Sequence, residues 1–142
     1  NDGDLDLFVV NQRPVYDMTF KGGVVKSRLY KNNSIDNNNW LKVKLKGKLA
    51  TTRGLGARVT LFLPELQMIR EVDGGSSHAS QNSSIIHFGL GQNQKIDSLR
   101  VTWPGGKTQS IKDLNANVQI QIEEALTEQT SLFQKLINYF KY

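Results

Sequence analysis

Residues 39–48 read NWLKVKLKGK, and they decide the fold class because apolar and charged side chains alternate strictly from Leu41 to Lys46. A period of two is typical of a β-strand with one face buried and the other wet. We therefore predict that the apolar set is buried and the basic set is exposed. The apolar set is Leu41, Val43 and Leu45, and the basic set is Lys42, Lys44 and Lys46.

The rest of the central region keeps this period in short, β-branched segments bounded by turn residues. These segments are ARVTLFL (57–63), LQMIREV (66–72), IIHF (85–88), KIDSLRVTW (95–103), KTQSI (107–111) and VQIQIEE (118–124). FLPEL and WPGGK predict hairpins, the second with Pro104 and Gly105 at the centre of a type II turn. The pattern predicts an all-β chain, folded as an antiparallel β-sandwich-like domain or a small barrel.

The two ends of the chain differ from this centre. LDLFVV (5–10) and RLYKN (28–32) are strand-like and flank a long polar loop, so we predict that they pair as an antiparallel hairpin. In the tail, TSLFQKLINYFKY (130–142) places apolar residues on one helical stripe behind a capping-box pattern. The tail is predicted to be either a short helix or a truncated strand.

The opening hexapeptide, NDGDLD, matches the second half of a D-x-D-x-D-G-x-x-D calcium loop. In that frame Asp2, Asp4 and Asp6 take the fifth, seventh and ninth positions. The first and third positions would precede residue 1. We therefore expect a partial calcium loop that is empty in this chain, no cofactor here, and calcium in an intact parent protein.

Composition and charge exclude some classes of function. The chain has 142 residues, no cysteine and a formal charge of +5. No apolar run approaches the roughly 18 residues of a membrane span. The densest basic stretch alternates with aliphatic residues and lacks interleaved aromatics for base stacking. No nucleic-acid partner and no membrane span are predicted.

The best catalytic candidate is the Gly-rich segment VDGGSSHASQNSS (72–84). A serine beside His78 and Asp73 resembles a nucleophile with its base, but triads are usually assembled from distant segments. A polar loop held by Ser and Asn bonds to backbone is favoured. The candidate ligand residues in and near this loop are Asp73, Ser76, His78, Gln81 and His87.

Other motifs have structural interpretations. GLGA (54–57) and HFGLG (87–91) are predicted to be turns or tight bends, and not phosphate cradles, because no helix follows either. Glu123 and Glu124 are adjacent, so on a strand they face opposite sides. Trp40 and Trp103 are predicted to be core residues, although exposed indoles would provide a platform for sugar stacking.

Five stretches together resemble the ASPIC and UnbV domain family, which includes the cartilage acidic proteins, over residues 38–124. They are NWLKVKLKG, GLGARVTLF, REVDGGSSHASQNSSIIHFGLG, IDSLRVTWPGGKTQSI and NANVQIQIEE. NDGDLDLFVVN and RLYKNN resemble an FG-GAP or VCBS repeat, the unit of calcium-decorated β-propellers. The resemblance implies a partial blade at 1–33, an ASPIC/UnbV β domain at 34–125, and a linker or following repeat at 126–142.

The resemblance also implies a function. We expect a non-catalytic binding or scaffolding module, extracellular, periplasmic or on the cell surface, that is part of a larger propeller protein. Its partners would be the neighbouring propeller domain and a protein or glycan ligand. The alternative is a carbohydrate-binding or carbohydrate-processing accessory domain, and a weaker one is esterase-like activity from the 73–84 loop.

Overall fold

The structure, a computed structural model, describes residues 4–11, 26–33, 37–75, 78 and 80–125. Within these ranges there are nine β-strands and no helix that could cross a membrane. The strands are β1 (Leu7–Val9), β2 (Arg28–Tyr30), β3 (Asn39–Lys46), β4 (Arg58–Phe62), β5 (Gln67–Glu71), β6 (Ile86–Gly91), β7 (Lys95–Thr102), β8 (Thr108–Asn115) and β9 (Val118–Glu123). The prediction of an all-β fold is confirmed. The tail predicted at 126–142 lies outside the described residues.

The chain divides into two units, Asn1–Asp36 and Asn37–Tyr142. In the first unit β1 and β2 pair antiparallel, with Phe8 opposite Leu29, which confirms the predicted hairpin. Most side chains of this hairpin are exposed, with Phe8 62% and Leu29 66% accessible. A two-stranded hairpin whose apolar side chains are not buried is marginally stable in water.

The second unit contains two sheets. A three-stranded sheet has the order β6-β3-β9, and a four-stranded sheet has the order β5-β4-β7-β8. β3 is the central strand of the smaller sheet, antiparallel to β6 and parallel to β9. Neighbouring strands of the larger sheet are all antiparallel.

Buried side chains from both sheets form one core, so the unit is a two-layer sandwich-like domain. The residues with the largest fully buried side chains are Phe88, Leu41, Leu61, Ile96, Leu99, Leu114, Ile120, Val43, Val59 and Val101. Leu41, Val43 and Leu45 of β3 all lie in this core, while Lys44 and Lys46 are exposed and Lys42 is half-buried. The register predicted from the alternation is confirmed.

Three details differ from the sequence prediction. The pairing of β3 with β9 is parallel, whereas the sequence predicts a wholly antiparallel arrangement. HFGLG is not a bend but forms most of β6, with its glycines on the outward face. The WPGGK hairpin forms, but φ is positive at Gly106 (84°) and not at Gly105. Together with the 2.9 Å hydrogen bond from the Gly106 N–H to the Trp103 carbonyl, this indicates a type I turn followed by a left-handed residue.

Candidate functional site

The loop predicted to carry ligand residues is a surface loop. Asp73, His78 and Gln81 are exposed, and Ser76 lies outside the described residues. His87 lies on β6 opposite Lys42 of β3, half-buried and away from the loop in sequence. In the described part of the loop, the Ser83 hydroxyl accepts a 3.2 Å hydrogen bond from the Ile85 N–H. That contact is of the kind expected for a polar loop stabilised by its own hydroxyl groups, and the ligand role of these residues stays a prediction.

The predicted calcium loop is represented by two described residues. Asp4 is half-buried and Asp6 is exposed, while Asp2 lies outside the described residues. One Asp6 carboxylate oxygen accepts a 2.9 Å hydrogen bond from the Asn32 N–H, which closes the β1–β2 hairpin at its open end. Among the described residues no three His, Cys, Asp or Glu side chains come together as a metal site. The described residues do not assemble a calcium site by themselves.

Glu123 and Glu124 point to opposite sides, as predicted for neighbours on a strand. Glu123 is a surface residue whose carboxylate lies 2.8 Å from Lys46 Nζ and 3.5 Å from Lys48 Nζ. The hydrogen bond from Lys46 lowers the pKa of Glu123. Glu124, by contrast, is only 4% exposed and continues the inward face of β9 beyond Ile122.

The buried Glu124 carboxylate is held by backbone donors. Its Oε2 atom accepts hydrogen bonds of 2.9, 2.8 and 2.8 Å from the N–H groups of Lys48, Leu49 and Ala50. Burial alone raises the pKa of Glu124, but these three donors and the nearby Lys107 ammonium outweigh it and lower the pKa below its ordinary value. The carboxylate therefore stays ionised at neutral pH and fixes the loop after β3, a structural role that leaves it poorly suited to proton transfer.

A small depression lies beside this carboxylate, with a volume of about 190 Å³. Its lining residues are Leu49, Ala50, Trp103, Pro104, Gly105, Lys107 and Glu124. Trp103 is buried as predicted, and its indole N–H donates to the Gln109 side-chain carbonyl, which also accepts from the Ala125 N–H. Ligand pockets for small molecules usually enclose about 300–1,000 Å³. The depression is below that range, and its polar groups already serve the fold.

The outward face of the three-stranded sheet offers a more extensive surface. Because the intervening residues of β3, β6 and β9 are buried, their neighbours in sequence lie on the opposite face. We call this surface the Trp40 face. Its residues are Trp40, Lys42, Lys44, Lys46, His87, Gly89, Gln119, Gln121 and Glu123.

Trp40 is half-buried on this face, so its prediction as a core residue is wrong. It is the outward residue next to Asn39, where the β3–β6 register shifts, and Asn117 fixes its backbone. The Asn117 side-chain carbonyl accepts a 3.1 Å bond from the Trp40 N–H, and the Asn117 N–H donates to the Trp40 carbonyl at 2.7 Å. The indole is therefore presented from a rigid part of the sheet.

The surroundings of the indole are open and basic. Lys42 Nζ lies 4.9 Å from the centroid of the Trp40 ring, a cation–π contact worth about 0.5–1 kcal/mol at exposed sites. Gly89 lies opposite Trp40 on β6, and a Cβ built there would meet no atom within 4 Å. The backbone of β6 is thus bare beside the indole. This combination suits the binding of an extended ligand across a flat surface.

The sequence indicates Trp40 and His87 separately but does not show that they share a face. The signal was present, since Trp40 has the same parity as the exposed lysines of NWLKVKLKGK. The interpretation of HFGLG as a bend concealed the second part, because a strand there places His87 and Gly89 on one face. The neighbours from β9 follow from the parallel register of Lys42 with Gln119, which no local pattern specifies.

The fold and the Trp40 face define the class: a sandwich-like all-β domain with a flat, basic and partly aromatic sheet face. Comparison with known proteins identifies the family. The family model described as ASPIC and UnbV matches residues 47–129, more than half of the chain. The chain therefore belongs to the ASPIC and UnbV family.

Individual relatives support this assignment. Cartilage acidic protein 1 of Xenopus tropicalis is 36% identical over 88 residues, which cover 60% of this chain and 13% of that protein. Cartilage acidic protein 1 of Homo sapiens is 35% identical over 80 residues, which cover 56% of this chain and 12% of that protein. The Mus musculus protein of the same name is 34% identical over 80 residues. The match thus spans about an eighth of the length of these curated relatives.

Proposed function

We propose that this domain is a non-catalytic binding module of an extracellular or cell-surface protein, and that the Trp40 face is its ligand-binding surface. The observation that carries the proposal is the half-buried indole of Trp40 beside the uncovered backbone at Gly89. Strand residues hold both groups, so the surface exists before a ligand arrives. A preformed surface limits the conformational entropy lost on binding.

The distribution of polar groups supports binding and not catalysis. The buried Glu124 carboxylate is used to order residues 48–50, and its pKa is lowered, so at neutral pH it is neither an acid nor an effective base. Asp73 and His78 of the 73–84 loop are exposed, where water screens a charge pair. Esterase activity from this loop is the weaker alternative for that reason.

The first unit supports placement within a larger protein. The β1–β2 hairpin leaves large apolar side chains exposed, and the matched relatives are several times longer than this chain. We propose that the hairpin belongs to an FG-GAP or VCBS blade of a neighbouring propeller, whose further strands cover these side chains. Calcium would bind in that parent, where a preceding segment adds ligands to Asp4 and Asp6. The exposed hairpin residues are Leu5, Leu7, Phe8, Val10, Leu29 and Tyr30.

The second candidate function is carbohydrate binding, which the half-buried Trp40 favours. Indoles on flat β-sheet faces present an apolar surface with a polar edge, and the C–H faces of pyranose rings are complementary to that surface. The Gln119 and Gln121 side chains on the same face supply amide donors and acceptors. Among the candidates raised by the sequence, this one uses the same surface as the main proposal.

The test is retention of the purified chain on defined immobilised macromolecules, measured by biolayer interferometry. The panel is gelatin, mucin, dextran, hyaluronan and chondroitin sulfate. We expect at least one surface to retain the wild-type chain, and Trp40→Ala to reduce that retention at least tenfold. Lys112→Gln is the control, because Lys112 is an exposed residue of β8 in the other sheet. Retention by none, or equal retention of Trp40→Ala and wild type, contradicts the proposal.

A catalytic role is tested separately. The chain and its His78→Ala variant are incubated with p-nitrophenyl acetate and with p-nitrophenyl glycosides, and release of p-nitrophenol is followed. We expect both proteins to match the uncatalysed rate. Turnover by the wild type that His78→Ala abolishes would contradict the non-catalytic assignment and favour the 73–84 loop as an active site.

A further inference from the structure

We infer that the ligand of the Trp40 face is an acidic polysaccharide, a linear chain of sugar rings that carries carboxylate or sulfate groups. This inference rests on the proposed function, since it assumes that the Trp40 face is the binding surface. It adds the chemical class of the ligand. Three independent features of the face support it: its charge, its shape and the contact between Lys42 and the indole.

The charge of the face is positive near its centre. Lys42 and Lys44 project outward from the central strand, and their partners on β9 are the uncharged Gln119 and Gln121. The carboxylate of the described face, Glu123, lies at the far end, within 2.8–3.5 Å of the Lys46 and Lys48 ammonium groups. An anionic ligand near Trp40 would therefore meet ammonium groups without a carboxylate beside them.

The shape of the face suits a narrow, extended polymer. Successive outward residues of a strand are spaced by about 7 Å, so Trp40, Lys42 and Lys44 form a row about 14 Å long on β3. Three strands spaced by about 4.8 Å give a surface about 10 Å wide. On the β6 side Gly89 leaves the backbone uncovered. A row of this size accommodates a few sugar rings along β3.

The contact between Lys42 and Trp40 joins recognition of an anionic group with recognition of a sugar ring. Without a ligand, the Lys42 ammonium lies over the indole ring, 4.9 Å from its centroid. A carboxylate or sulfate is a stronger partner for an ammonium than a ring quadrupole. An acidic sugar would draw Lys42 off the ring and place its own C–H face on the half-buried indole. A neutral sugar cannot do this, so the face selects for charge.

Other polyanions and protein ligands fit less well. Single-stranded nucleic acid binds through several aromatic side chains on which successive bases stack. The described Trp40 face offers one indole, with lysines, glutamines and an uncovered backbone around it. Protein interfaces have a core enriched in aromatic and other apolar groups, whereas this face is mostly amide, ammonium and main chain. The arrangement favours hydroxyl-rich and anionic partners.

The experiment compares binding of the chain to hyaluronan, chondroitin sulfate, dextran and an oligo-thymidine strand at physiological salt. We expect binding to the two acidic polysaccharides, and at least tenfold weaker binding to dextran and to the oligonucleotide. Trp40→Ala and the double variant Lys42→Gln with Lys44→Gln should each weaken polysaccharide binding at least tenfold. Lys112→Gln, which removes the same charge from the other sheet, should leave it within twofold of wild type.

Gly89→Val provides a variant that keeps the fold. The position has no positive φ and no atom within 4 Å of a built Cβ, so a Cβ fits there, and valine, which strands favour, should not lower the melting temperature. The side chain would nevertheless cover the backbone beside Trp40 and reduce polysaccharide binding at least tenfold. Unchanged binding by a folded Gly89→Val protein overturns the inference.

Two further outcomes separate this inference from the proposed function. If Trp40→Ala and Gly89→Val abolish binding to mucin or gelatin and neither acidic polysaccharide is retained, the Trp40 face is a binding surface and the acidic-polysaccharide inference is wrong. If the polysaccharides bind but oligo-thymidine binds equally well, and Trp40→Ala has no effect, the contact is general attraction to a basic protein and the inference is also wrong.

Discussion

Replacing Glu124 with alanine is expected to destabilise the domain strongly. The carboxylate accepts three backbone hydrogen bonds of 2.8–2.9 Å and is 4% exposed. A hydrogen bond to a charged group contributes about 1.5–3 kcal/mol net, so the three together set an upper limit of roughly 5–9 kcal/mol. Lys48 and Leu49 are exposed, so water can replace the lost acceptor at those two donors.

The expected loss is therefore about 3 kcal/mol of unfolding free energy, within the range for breaking a buried charged network. For a domain of about 100 residues this corresponds to a melting temperature lower by roughly 12–24 °C. Glu124→Gln keeps the shape and one acceptor oxygen, so about half of the loss is expected. The measurement is thermal and urea unfolding followed by circular dichroism at pH 7.

The neighbouring residue provides the control. Glu123→Ala removes a carboxylate one position away, but that carboxylate forms solvent-exposed ion pairs with Lys46 and Lys48. Exposed pairs contribute little to stability. The expected decrease in the free energy of unfolding is a small fraction of the decrease in Glu124→Ala. Equal losses in the two alanine variants would refute the view that the bonds to residues 48–50 make Glu124 a structural residue.

The remaining predictions concern the pH dependence of stability, Asn117 beside the start of β3, and two glycines. Because the folded pKa of Glu124 lies below its ordinary value of 4.5, its contribution is complete above about pH 4.5 and is lost as the pH falls through the folded pKa. As the pH falls below about 5, urea denaturation should show that the unfolding free energy of the wild type decreases more than that of Glu124→Gln. Equal decreases in the two proteins would contradict this. Asn117 has a φ of 61° and binds the backbone of Trp40. Asn117→Ala should cost about 1 kcal/mol more than Asn117→Gly, because alanine adds left-handed strain; a reversed order in urea denaturation would contradict that. A Cβ at Gly47 would lie 2.3 Å from the Thr51 carbonyl oxygen, so Gly47→Ala should cost roughly 2–3 kcal/mol. Gly89→Ala should be neutral or stabilising by about 0.5 kcal/mol. Calorimetry showing similar losses of stability for Gly47→Ala and Gly89→Ala would be the contrary result.

Periodicity was sufficient for the strands of the central domain. Leu41, Val43 and Leu45 identify β3 and its buried face because burial on one side requires alternation along the strand. The same alternation locates the strands of the larger sheet, and the turn residues of WPGGK locate the hairpin between β7 and β8. Local pattern was less informative at glycine. Gly89 resembles a turn residue by composition, yet β6 continues through it because pairing with β3 holds the strand extended, whereas Gly91 at the strand end has a φ of 57°.

The candidate site could be predicted only in part, since its parts come from three distant segments. The partnership between Lys42 and Gln119 depends on the parallel register of β3 and β9, a tertiary property. The role of Glu124 was also hidden, because a glutamate at a strand end has the composition of a surface residue. What buries it is the loop at residues 48–50, whose N–H groups converge on one oxygen. The identities of the residues that supply these backbone donors do not reveal that the donors converge.

The parallel pairing of β3 with β9 also determines when the domain can finish folding. The partner residues are 77 positions apart, so the contact forms only after almost all of the domain has left the ribosome. Until then β3 keeps one unpaired edge, and its exposed lysines discourage pairing with other chains during that interval. Contacts of such long range are slow to form, since closure of the intervening chain loses entropy before any bond compensates for it. A chain truncated before Val118 should therefore remain unfolded and prone to degradation, instead of forming a smaller sandwich.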